Sequence, residues 1–255
     1  MLATFSFYYT FKTTTVIKNT DEIMKYIEEA SKEKVYPIDA YIDGDMVIPG
    51  LKGSEVDISK SYDVMKKIGT YSSNMLVYKK IPPNISITKI YNKYIQEGNP
   101  KKNNVTLIFK IDDKTYLDNI ITILDKYDIK ANFFFNDYYD EDIKLSNKGH
   151  IIGYIINDTW ANILVNKTSN QKNIYCYLED KNIETLNMCS MNKAHTIIPS
   201  IKVTTNPTIT IKKNLKSGSI ISLNVDKAIS ELEYIIRYIK SKGYNIVNLD
   251  TLLEE

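Results

Sequence analysis

The stretch Val105–Phe135, VTLIFKIDDKTYLDNIITILDKYDIKANFFF, decides the fold. VTLIFKI is an apolar run with the length and β-branched content of a buried strand. YLDNIITILDKYD follows, with Leu117, Ile120, Ile121 and Leu124 at helical spacing along one side. KANFFF is a second buried strand. A strand, a helix and a strand in so few residues predict a parallel βαβ unit. Asp112 and Asp113 stand at the end of the first strand, where the chain turns towards the helix.

Downstream the alternation continues. HIIGYII reads as a strand, ETLNMCSMN as a helix, and HTIIPSIKV and GSIISLNV as strands. A helix is predicted from Lys227 to Ser241 with Ala228, Ile229, Leu232, Ile235, Ile236 and Ile239 in register, then YNIVNL as a last strand and TLLEE as a helical end. Repeated strand–helix units predict a parallel sheet, doubly wound or closed as a barrel.

Upstream, residues 18–95 read as a small α+β module. A helix is expected from Asp21 to Ser31 with Thr20 as its cap, and a second from Asp57 to Lys67. YPIDAYID and MLVYKKIPP read as strands, the latter stopped by Pro82 and Pro83, and GDMVIPGLKG is rich in turn signals. YIQEGNPKKN, polar and carrying Gly98 and Pro100, reads as a linker ahead of a domain over residues 99–255. Residues 1–17 contain an apolar run of about 10 residues, half of a membrane span. They lack a basic region and a cleavage site, and are read either as an anchor remnant or as a first strand.

The chain has 255 residues, 43% of them hydrophobic, and a net charge of +2, so a packed core is expected and no basic field supports a nucleic-acid partner. Cys176 and Cys189 form neither a CxxC pair nor a ligand cluster, and are read as two unrelated thiols.

The order of these motifs resembles the polysaccharide deacetylase family, also called the NodB homology domain or carbohydrate esterase family 4. The opening strand, helix and A-x-F-F strand are similar to the family's T-F-D-D-G, helix and K-A-T-F-F. KGHIIGYII resembles G-H-E-I-G-N-H, and SGSIISLNV resembles G-S-I-I-L-x-H. The ending AISELEYIIRYIKSKGYNIVNLDTLLE resembles the family's last helix, strand and L-x-E-L-L close. The module before Asn99 looks like the one that precedes this domain in the sporulation-associated branch. The resemblance implies an α/β fold, a distorted (β/α) barrel of fewer than eight repeats preceded by a small α+β module. It also implies an extracytoplasmic, membrane-associated or forespore setting, with peptidoglycan or another acetylated glycan and an envelope or spore protein as candidate partners.

Active members of the family hold a divalent metal, commonly zinc, with one Asp and two His, and use a second Asp as base and a late His as acid. A carboxylate and neutral imidazoles fix such a metal while leaving positions open for water and substrate. Carried over, the base falls on Lys110 and the metal-binding Asp on Ile111. The two metal histidines fall on Ile155 and Thr159, the supporting Arg on Tyr175, and the late His on Asn224 with Val225 after it. None keeps its residue, so no cofactor is expected and the favoured reading is a catalytically degenerate, glycan-binding or scaffolding protein.

The rival is a deacetylase with a rebuilt site that uses Asp112, Asp113 and either of the two histidines, His150 and His195. A third reading makes the chain an interaction module of spore or envelope assembly. Groove candidates are Lys110, Asp112, Asp113, Trp160, Tyr175 and Asn224. Trp160 is ordinarily a core residue; exposed, it could stack on a sugar. Asp137, Asp140, Glu141 and Asp142 lack the alternation and the Gly turn of a calcium loop, and read as a solvated helix start. Lys110 is expected to pair with Asp112 or Asp113.

Overall fold

The structure, a computed structural model, describes residues 2–136, 142–155 and 173–255. Two compact units divide the chain: Met1–Ile38 with Leu51–Asn84, and Asp39–Gly50 with Ile85–Glu255. Residues 39–50 and 85–95 therefore sit with the barrel rather than with the amino-terminal module, because they supply its edge strands.

In the first unit, Leu2–Thr20 is helical, so the first-strand reading of this segment does not hold. Among the described residues no helix is long and apolar enough to cross a membrane. The helices Glu22–Ala30 and Ile58–Ile68 form where the sequence puts them, burying Met24 and Ile27 against Tyr62 and Met65, while Tyr26, Ile58 and Ile68 stay exposed. The first of them is capped by Asp21, not Thr20. Its carboxylate accepts from the Ile23 amide at 2.9 Å and from the Tyr62 hydroxyl at 2.8 Å, and Thr20 is itself the last residue of the preceding helix. Asp57 caps the second, accepting from the Lys60 amide.

The strands of the chain are β1 (Tyr41–Asp43), β2 (Met46–Ile48), β3 (Gly53–Val56), β4 (Tyr78–Ile81), β5 (Tyr94–Ile95), β6 (Asn104–Ile111) and β7 (Asn132–Phe135). They continue with β8 (Ile151–Ile155), β9 (Ile174–Tyr177), β10 (Ala194–Ile197), β11 (Ile201–Val203), β12 (Ile220–Asn224) and β13 (Asn245–Ile246). β3 and β4 form an antiparallel pair in the first unit. The large sheet runs β1-β2-β5-β10-β9-β8-β7-β6-β12-β11, with β13 beside β6, and is parallel except for β1–β2. The turn-rich segment after Asp43 thus holds strands, with Gly44 at φ 57° where the hairpin turns. HTIIPSIKV, read as one strand, is two. Pro199 has no N–H to give a ladder, and after it the chain leaves β9 and joins β12.

The predicted linker instead closes the barrel. Gly98 donates to the Gly218 carbonyl at 2.8 Å, Glu97 bridges Ser219, and the buried Asn99 amide donates to the Pro49 carbonyl. A buried backbone must find partners inside the protein, which a free linker would not.

Strand alternation sorts the side chains. Leu107, Phe109 and Ile111 of β6 face the helical layer with Leu117, Ile120 and Leu124. Ile108, with Phe134, Tyr175, Tyr177, Ile197 and Ile220, fills the interior. The interior is closed at one end by Leu249, Leu252 and Leu253, held there by the Leu249 amide, which donates to Asn132 Oδ1 at 2.8 Å. The Phe134 ring lies over Gly153, where an added Cβ would come within 2.3 Å of the ring. Gly153→Ala is therefore expected to cost about 2 kcal/mol by overpacking, read as a lower urea midpoint; an unchanged midpoint would show that the ring yields freely.

Candidate functional site at the barrel mouth

In parallel α/β folds the chemistry-bearing groups gather at the carboxyl ends of the strands. Here those ends bring up Lys110 and Ile111 of β6 and Asn224 of β12, and β6 and β12 pair with Asn224 opposite Lys110. Tyr177, the last residue of β9, shares a 2.9 Å hydrogen bond with Ser222 Oγ. Burial pushes its phenol up to about 12, so it stays protonated.

Lys110 is half-buried, and its ammonium pairs with the Glu179 carboxylate just beyond β9. The expected pairing with Asp112 or Asp113 is thus corrected: Asp112 accepts from the Asn136 side-chain amide instead. Asp113 caps the turn Lys114–Tyr116, taking the Thr115 amide at 3.1 Å and its hydroxyl at 2.8 Å. Those two bonds hold its carboxyl below the usual carboxylate range, the hydroxyl contributing most. Local capping explains Asp113, and a side-chain contact with Asn136 explains Asp112. Glu179 lies 69 residues from Lys110, and no sequence pattern announces that pair.

The other candidates scatter. Ile111 is 3% exposed and packs against the helical layer, on the opposite strand face from Lys110. Tyr175, a groove candidate, is buried, and its hydroxyl donates to Asp250 Oδ1 at 2.6 Å, beside the plug rather than in the groove. Burial, reinforced by the Asp250 charge, pushes that phenol well above its ordinary value. Ile155 ends β8. Thr159 and Trp160 lie outside the described residues, as do Asp137, Asp140 and Glu141. Asp142 begins a short helix.

The two histidines are not at the mouth. His150 precedes the first residue of β8, is buried, and accepts the Ala131 amide on Nδ1 at 3.1 Å. Its Nε2 is buried without a partner. The four residues of β7 separate Ala131 from Asn136, the partner of Asp112, a distance of about 16 Å along the strand. His195, near the amino end of β10, stacks on Tyr91 with centroids 4.7 Å apart, and its Nδ1 is buried without a partner. Burial lowers both imidazoles to about 4. The rebuilt site is not assembled from Asp112, Asp113 and these histidines, because the acids follow the carboxyl end of β6, held by Asn136 and by Thr115, and the imidazoles pack near the amino ends of their strands.

These residues do not fit a divalent cation of the family type. Ile111 and Ile155 place hydrocarbon where the family has its metal-binding carboxylate and first imidazole, and neither side chain offers a lone pair. Among the described residues no group of three His, Cys, Asp or Glu could hold a metal.

Cys176 in β9 and Cys189 in the helix Ile183–Met191 are joined by a disulfide, which corrects the reading of two unrelated thiols. The helix returns over the sheet and brings its buried face to the outward side of β9, a proximity that residue spacing alone does not disclose.

The barrel, with its strand order, has the fold of the polysaccharide deacetylases of carbohydrate esterase family 4. Among solved structures, BA3943 of Bacillus anthracis, described as a family 4 pseudoenzyme, aligns over 92% of this chain and 96% of its own, with a TM-score of 0.66 and 21% identity. The peptidoglycan N-acetylglucosamine deacetylase Bc1960 aligns over 62% of this chain and 92% of its own, with a TM-score of 0.53 and 19% identity. By sequence, the uncharacterized protein YlxY of Bacillus subtilis (strain 168) is 31% identical over 149 residues, which are 55% of this chain and 47% of that protein. The chain spans about half the length of this curated relative. No family model matches the chain.

Proposed function

We propose that this chain is a catalytically silent deacetylase-fold protein that binds an acetylated glycan of the bacterial envelope at the barrel mouth. The observation that carries the reading is Lys110, tied to Glu179 where an active family member has its base. A protonated ammonium takes no proton from an attacking water, and Ile111 beside it offers no ligand. The fold shared with a pseudoenzyme, BA3943, supports the silent reading, and the fold shared with a peptidoglycan deacetylase supports a glycan at the mouth. The spore or envelope setting rests on the resemblance of the amino-terminal module. The disulfide supports a compartment outside the reducing cytoplasm, where such bonds form and persist.

The first test is calorimetric titration of chelator-treated protein with zinc, alongside an acetate-release assay on peptidoglycan. No binding tighter than millimolar and no acetate are expected. A tight one-to-one site would sink the silent reading. Lys110→Asp alone should also release no acetate, since both family histidine positions still lack imidazoles. Activity in that variant would mean that the assignment of roles is wrong.

A further inference from the structure

The amino-terminal unit carries a cleft of about 770 Å³ whose lining residues all belong to that unit. That volume is in the range of ligand sites. Its walls include Tyr26 from the helix Glu22–Ala30, Tyr71 from the segment after Gly69, and Tyr78 from the start of β4; Val35, Ser54 and Leu76 also line it. Tyr26 and Tyr71 stand with ring centroids 5.3 Å apart and planes tilted by 35°. Tyr26 is 57% and Tyr78 58% exposed. Two large aromatic faces left this open cost the free protein apolar hydration that a ligand would relieve.

The charges select among ligands. The cleft is lined by Glu29, Glu33, Lys32 and Lys34, whose formal charges cancel. Lys32 is engaged by Glu29, and Lys34 by Glu55 at 2.8 Å. Lys34, with Lys79, holds the Glu55 carboxyl down to about 2, so this pairing persists across the neutral range. An anionic ligand would have to break these pairs, and a cationic one would find no unbalanced field. What remains, besides the exposed Glu33 carboxylate, is aromatic and aliphatic surface with phenol and serine hydroxyls, which suits an uncharged ligand having apolar ring faces and many hydroxyls. Tyrosine supplies such contact area at low entropic cost, since its ring is rigid and carries a polar tip.

We propose that this cleft is a second binding site, for a neutral oligosaccharide whose rings lie against Tyr26, Tyr71 and Tyr78. The proposal does not depend on the reading of the barrel. An extended proline-rich peptide is the competing occupant, since aromatic grooves also receive that conformation.

The test titrates the full chain with a neutral N-acetylglucosamine oligosaccharide and, separately, with a proline-rich peptide. Three variants are compared: Tyr71→Ala with Tyr78→Ala, Tyr71→Phe, and Lys110→Ala with Glu179→Ala at the barrel mouth. The double tyrosine variant is expected to lose about tenfold or more in oligosaccharide affinity, while Tyr71→Phe, which keeps the ring, stays near wild type. Unfolding midpoints of the variants establish that the unit remains folded. Loss confined to the tyrosine variant supports the cleft and removes support for the mouth. Loss confined to the barrel variant overturns the cleft and leaves the mouth reading standing; loss in both supports both sites. Failure of the wild type to bind the oligosaccharide overturns the cleft and the glycan reading together, and peptide binding without sugar binding assigns the cleft to a peptide and overturns the proposal.

Discussion

The protein should lose about 4 kcal/mol of stability between neutral pH and about pH 5, from two buried histidines alone. His150 and His195 are 1% and 4% exposed, and burial holds both near 4 in the folded chain against an ordinary value of 6.5. A histidine lowered in this way binds its proton more readily when the chain is unfolded. Its contribution is complete above the unfolded value of about 6.5 and is lost progressively as pH falls through the folded value of about 4. At about pH 5 each accounts for about 2 kcal/mol, and the two sites pack in different surroundings, so the costs should add. The carboxylates held low by their partners, such as Asp21, Glu55 and Asp113, lose their contributions only at lower pH, so they do not obscure this window. Urea unfolding across the range reads the effect. His195→Phe keeps the stack on Tyr91 without a titrating nitrogen, and His150→Asn keeps an acceptor for the Ala131 amide. Each should remove about half of the slope and the pair nearly all of it. A double variant that keeps the wild-type slope would place its origin elsewhere.

The second large effect is reduction of the disulfide. Cys176 and Cys189 are both buried and lie 13 residues apart in sequence. Closing a loop of that size restricts the unfolded chain by about 3 kcal/mol. Comparing the same chain oxidised and reduced avoids any change in side-chain volume. Reduction should lower the thermal midpoint by about 10 °C. Alkylation of the denatured, unreduced protein should label neither cysteine. Two labelled thiols in protein recovered from its native compartment, or an unfolding curve indifferent to reductant, would remove the disulfide and with it the support for an oxidising setting.

Much of the barrel was legible in the sequence, because buried parallel strands must be apolar and their helices must be amphipathic. Leu107 and Phe109, then Leu117, Ile120 and Leu124, then Phe133 to Phe135 fall where the pattern puts them. Boundaries failed where a residue serves a distant partner. Gly98 and Asn99 look like a linker until Gly218 and Pro49 arrive to pair them. Pro199 splits a strand whose side chains alone read as continuous.

By itself the sequence determined that Lys110, Ile111, Ile155, Thr159 and Asn224 stand where the family resemblance places base, ligands and acid, since residue identity fixes whether a lone pair or a proton can be offered. It also determined the parallel α/β class, through hydrophobic period. Only the tertiary structure decided what those residues do instead. It gave Lys110 to Glu179, Tyr175 to Asp250, Asp112 to Asn136, and Cys176 to Cys189. All four pairs join residues on different strands, helices or loops, and the interaction that forms depends on which parts of those elements the barrel brings together. Periodicity along a chain carries the burial of each face, but it does not carry the identity of the neighbour across it.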